Sequence, residues 1–107
     1  MVDITLEVNY NVYRRIIQYT KTSDKPIPIL RFKPPKKISV GDVVKIRSTQ
    51  NTHRTKTLVA KVVEIKAYDG DKDGIPYDDL KPIYENYIKE IPKLSRVVII
   101  YVNPINF

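Results

Sequence analysis

A chain of 107 residues has room for one hydrophobic core, so a single domain covering residues 1–107 is expected. It is 42% hydrophobic and 29% charged, which excludes an intrinsically disordered chain, and the absence of cysteine excludes disulfides, thiol nucleophiles and thiolate metal sites. The net charge of +7 is uneven: residues 1–68 carry fourteen Lys and Arg against five Asp and Glu, while residues 69–107 carry five against seven.

Ile4, Leu6 and Val8 alternate with Thr5 and Glu7, a period of two that predicts a half-buried first strand. Asn9 or Asn11 can cap a following helix. Tyr13, Ile16, Ile17 and Thr20 fall at helical spacing and predict an amphipathic helix over residues 11–20, with Arg14, Arg15 and Gln18 on its outer face. Pro26, Pro28, Pro34 and Pro35 then forbid a helix and leave residues 29–33 as a short edge strand.

Ile38-Ser39-Val40-Gly41-Asp42 reads as a turn into a strand over Val43–Ser48, with Val44 and Ile46 facing inward and Lys45 and Arg47 outward. Residues 49–56 form a polar, basic loop that contains the only histidine, His53, expected to be an exposed loop residue. In the long strand that follows, residues 57–68, the apolar parity switches from Leu58, Ala60 and Val62 to Val63, Ile65 and Ala67. A slip of one residue predicts a β-bulge.

An acidic loop at residues 69–74 leads to a second helix over about residues 77–90, with Leu80, Ile83, Tyr84, Tyr87, Ile88 and Ile91 on its buried side. Residues 97–102 are apolar throughout, as in a central strand covered on both faces. The sum is an α+β domain with a small, strongly curved mixed β-sheet and two main helices.

This six-residue run is also the longest apolar stretch, and a membrane-spanning helix needs about 20 residues. The first five residues have neither the basic nor the apolar region of a secretory signal, so a cytoplasmic protein without a membrane partner is expected. Abundant Lys, Ile, Tyr and Pro with a single Met point to a heat-loving source.

Four segments in order resemble the ASCH family of the PUA-like superfamily. They are the helix end Ile16-Ile17-Gln18-Tyr19-Thr20-Lys21-Thr22, the strand entry Val40-Gly41-Asp42-Val43-Val44, the strand closing on Ala67-Tyr68, and Val97-Val98-Ile99-Ile100-Tyr101-Val102-Asn103-Pro104. The resemblance implies a pseudo-barrel with a cleft between the first helix, the Lys turn and the barrel, binding RNA or modified nucleosides. Arg31 is similar to the family's arginine after the Lys turn, here displaced by the proline-rich insertion. The family's glutamate is absent from that place.

A small branch with this turn is an amidohydrolase of acylated cytidine, which uses a Lys, a Thr and a Glu. Lys21 and Thr22 match in part, and the carboxylate would be Glu85 or Glu90. The first expectation is nevertheless a non-catalytic RNA-binding module. Its phosphate contacts would be Lys21, Arg31, Lys33, Lys45, Arg47, Arg54 and Lys56, because basic side chains displace condensed counterions. Tyr10, Tyr13 and Tyr19 would offer faces to bases.

A regulatory protein-interaction module is a third possibility. No cofactor is expected. The loop Asp69-Gly70-Asp71-Lys72-Asp73-Gly74 has the opening of a calcium loop, but Leu80 stands where the closing Glu belongs and Asp79 comes one residue early. It reads as a weak cation site or a solvated loop.

Overall fold

A computed structural model describes residues 4–31, 38–49, 57–69, 74–91 and 96–105. Strand β1 (Ile4–Val8) leads into helix α1 (Tyr10–Thr22), and strands β2 (Ile27–Arg31), β3 (Val43–Ser48) and β4 (Leu58–Asp69) follow. Helix α2 (Tyr77–Tyr84) tightens into a single 3-10 turn (Glu85–Tyr87) before strand β5 (Arg96–Pro104). The five strands form one mixed sheet in the order β1-β3-β4-β5-β2, curled into a half-barrel. Only β1 and β3 are parallel, and α1 and β2 lie between them in sequence, as a parallel connection requires.

Asn9 starts α1: its side-chain oxygen accepts from the Val12 N–H at 2.9 Å, satisfying one of the donors that a helix N-terminus leaves free. The helix extends past the expected end to include Lys21 and Thr22, so these two residues stand in its last turn rather than in a turn after it. The Thr22 hydroxyl donates back to the Gln18 carbonyl at 3.2 Å. On the inner side Val12, Tyr13 and Ile16 join the core, each large apolar group worth about 1.5–3 kcal/mol on burial.

β2 begins two residues earlier than the prolines suggest and incorporates Pro28. This is tolerated because β2 is an edge strand, bonded only to β5, so the missing N–H interrupts no inner ladder. Gly41, at φ 98°, turns the chain into β3, a conformation that costs a side-chain-bearing residue dearly. The Asp42 carboxylate accepts from the Ser39 N–H at 2.9 Å and fixes the same turn.

The bulge lies where the apolar parity switches. Val62 pairs with Val102 and Glu64 with Tyr101, leaving Val63 as the extra residue of β4. The pairing places Leu6, Val44, Ile46, Ala60, Val62, Ile100, Val102, Ile27 and Ile29 on one face of the curled sheet, all buried. Val97, Ile99 and Leu30 point to the opposite face and are buried too. The reason is α2: Leu80, Ile83 and Tyr84 belong to the same core, and the Leu30 N–H donates to the Tyr84 hydroxyl at 2.9 Å.

The second helix is shorter than its apolar spacing predicts. Pro82 lies inside it, removes one main-chain donor and crowds the preceding turn. Two residues later the helix gives way to the 3-10 turn, with Tyr87 and Ile88 half-buried rather than buried. No helix among the described residues is long and apolar enough to cross a membrane.

Candidate nucleic-acid interface

The two edge strands of the half-barrel, β1 and β2, are not paired with each other. Their ends approach at a seam, where the Arg31 guanidinium donates to the main-chain carbonyl of Glu7 at 2.8 Å. A hollow of about 170 Å³ lies at this seam. Val8, Val12 and Leu30 line its apolar side, and Glu7, Asn9, Arg31, Tyr84 and Tyr87 its polar side.

Two aromatic rings close the hollow on the α2 side. Tyr84 and Tyr87 meet edge to face, with centroids 6.2 Å apart. The Asn9 side-chain amide donates to the Tyr87 hydroxyl, tying the start of α1 to the 3-10 turn. Tyr84 is fully enclosed, and burial pushes its hydroxyl up to about 12. It is therefore neutral at any physiological pH. Arg31 has four further N–H donors, and the Glu7 carboxylate, 3.5 Å from Arg47, remains half-exposed.

A second, larger hollow runs along the outer side of α1 against α2. This open groove measures about 1010 Å³. Arg14, Arg15, Gln18 and Lys21 line it from α1, and Pro82 and Asn86 face them. Arg14 sits over the Tyr10 ring at 5.8 Å, and Arg15 pairs with Glu85 at 3.2 Å.

The residues expected to form one cleft are therefore distributed over three places. Arg31 is in the seam. Lys21 is in the α1–α2 groove, toward the far end of α1. Lys45 and Arg47 are exposed on the outer side of β3, beside Glu7 of β1. Glu85 faces Arg15, and no hydrogen bond or ion pair joins it to Lys21 or Thr22 among the described residues.

Tyr13 lines the groove but is only 5% exposed, so its ring serves the core and has no open face for a base. Burial raises its hydroxyl above the ordinary tyrosine range. Tyr19 is half-buried and packs against the core. Lys33, Arg54, Lys56 and His53 lie outside the described residues, as do positions 70–73 of the acidic loop. Among the described residues no group of carboxylates and histidines is arranged to hold a metal ion.

Arg14, Arg15 and Gln18 were legible as an outer helix face, but their role in a groove was not. The signal was there: Tyr10, Arg14, Gln18 and Lys21 recur at helical spacing, a polar stripe with three strong donors. Tyr84 and Tyr87, three apart on an apolar face, read as core alone. Nothing local in the sequence marks them as walls of a hollow.

The chain has an ASCH-like, PUA-like fold. The crystal structure of the ASCH protein from Zymomonas mobilis superposes with a TM-score of 0.64 over 98% of this chain and 73% of that one, at 12% sequence identity. A point mutant of the same protein gives 0.65, covering 98% and 76% at 11% identity. Hypothetical protein PH0355 matches over 97% of this chain and all of its own, with a TM-score of 0.62 and 17% identity. No protein-family model matches the sequence, and no curated protein matches it.

Proposed function

We infer that this chain is an RNA-binding module that receives one unstacked base at the β1–β2 seam. The observation that carries this reading is the chemistry of the seam hollow. At the hollow Arg31 donates, Glu7 accepts and Asn9 does both, matching the edge of a base, while the largely buried Val8, Val12 and Leu30 leave a narrow apolar strip beside them. Single-stranded RNA is read in this way, through splayed bases placed against side-chain planes and bonded along their edges.

The ASCH-like fold supports the same conclusion, since RNA binding is the role generally proposed for ASCH domains. Lys45 and Arg47 on the adjoining β3 surface supply cations for the flanking phosphates. The excess charge of residues 1–68 adds long-range attraction.

Fluorescence anisotropy with short fluorescein-labelled RNA oligomers of each base tests this reading. Binding is expected at low salt and falls linearly in log–log form as salt rises. Arg31→Met and Glu7→Gln should each change the order of base preference while leaving the salt slope nearly intact. Absence of binding at low salt would remove the reading.

A further inference from the structure

The α1–α2 groove is chemically unlike the seam. It has no apolar floor of comparable share, and its exposed groups are donors: Arg14, Lys21 and the amides of Asn11, Gln18 and Asn86, with Arg15 half-exposed beside them. Among the described residues no carboxylate lines it, and neither Arg14 nor Lys21 is paired with an acid.

Arg14 lies over one face of the Tyr10 ring, which is then engaged by a cation, and the other tyrosine of the groove, Tyr13, is buried. Arg15, which lines the groove, is held from beside it by Glu85, which does not line it. A surface of fixed donors with no free stacking platform suits a chain of phosphates rather than a base.

We propose that the α1–α2 groove is a second binding site, a track for the sugar-phosphate backbone of a single RNA strand whose base occupies the seam. This rests on the RNA-binding reading of the seam and extends it. The two sites share α1: Asn9 and Val12 border the seam at the start of the helix, and the groove runs from Tyr10 to Lys21. Arg14 to Lys21 covers about 10 Å of helix axis, and Arg14, Arg15 and Lys21 are placed along it to meet successive phosphates. Contacts there are to the backbone and carry no base preference.

Glu85 gives the proposal a test of sign. It competes with an incoming phosphate for Arg15, so its removal should strengthen binding rather than weaken it. Anisotropy titrations use the full chain with fluorescein-labelled oligouridines and oligoadenylates of three, six and nine nucleotides. In the unaltered protein, affinity should rise from three to nine nucleotides. The triple variant Arg14→Gln, Arg15→Gln, Lys21→Gln should lose that length dependence, weaken both sequences equally, and lower the salt slope by about 2, at about 0.7 per phosphate contact.

Glu85→Gln should tighten binding about twofold to fivefold, the scale of an exposed ion pair. Circular dichroism confirms that each variant is folded, and Glu85→Gln alters one exposed side chain, so it remains informative if the triple variant is unstable. If the unaltered protein binds RNA but the triple variant keeps its affinity, length dependence and slope, the track is overturned and the seam reading stands. If Glu85→Gln weakens binding, the track is likewise overturned. If the unaltered protein binds no RNA at low salt, both readings fall.

Discussion

The Arg31 guanidinium donates to the main-chain carbonyl of Glu7 at 2.8 Å and so joins two edge strands that share no ladder. A half-barrel has two open edges, and an edge with free N–H and C=O groups invites pairing with another chain. Among the described residues the Arg31 bond spans the gap, and a hollow remains beside it.

Arg31→Met should therefore lower stability by about 1 kcal/mol, the scale of one partly exposed hydrogen bond. Urea unfolding would show a lower midpoint with an unchanged slope against denaturant. An unchanged midpoint would mean that the bond contributes nothing to holding the seam.

Tyr84 links the outer helix to β2 and also governs alkaline stability. Burial, the largest cause, raises its hydroxyl to about 12, and Tyr87 adds to this; the Leu30 N–H and Arg31 act in the other direction. In the unfolded chain the group titrates near 10. Its contribution is therefore fully present below about pH 10 and is lost as pH rises from 10 toward 12, by about 1.4 kcal/mol per pH unit.

Tyr101, also raised to about 12 by burial, by Tyr68 and by the carboxylates Asp79 and Glu64, steepens the same fall. Tyr84→Phe should make the alkaline fall shallower. It should also cost about 1–3 kcal/mol at neutral pH, because the buried Leu30 N–H loses its acceptor. Thermal unfolding across pH 7 to 11 checks both effects.

Deleting Val63 tests the bulge. The deletion joins Val62 to Glu64, which keep their partners Val102 and Tyr101, so the ladder becomes regular and the strand loses its local bend without changing register. The deletion variant should fold with a lower urea midpoint, whereas Val63→Ala, which keeps the bulge, should stay closer to the unaltered chain. A deletion variant as stable as the unaltered chain would show that the bend contributes nothing to the fold.

The bulge was readable because it leaves a local mark, a parity switch within one strand. A helix cap at Asn9 or Asn11, of which Asn9 is the one used, the Gly41 turn and the doubly covered β5 were readable for the same reason. The seam was not. It depends on which strands are sheet edges, and that follows from long-range pairing: β1 with β3, and β2 with β5. Lys21 and Arg31 are near in sequence, but β2 carries Arg31 back toward the start of α1 while Lys21 stays near its end. About 14 Å of helix separates Lys21 from Val12 at the seam. Pro82 could have shortened α2 on paper, since a proline past the first turn ends or strains a helix.

Lys21 and Glu85 also separate two chemistries. A hydrolase of acylated cytidine built on Lys21, Thr22 and Glu85 predicts that Glu85→Gln abolishes turnover. The phosphate track predicts tighter RNA binding from the same change, because Arg15 is released. Measuring both on one preparation of the variant assigns Glu85 to one role: lost deacylation favours the enzyme, and stronger binding favours the interface.

The most direct test of the account is a proton–nitrogen correlation NMR titration of the full chain with a short single-stranded RNA at low salt. The amides of Glu7, Asn9 and Arg31 at the seam and those of Tyr10 to Lys21 along the groove should shift together and saturate at one RNA per protein. Shifts confined to β4 and β5, or no shifts at all, would contradict it.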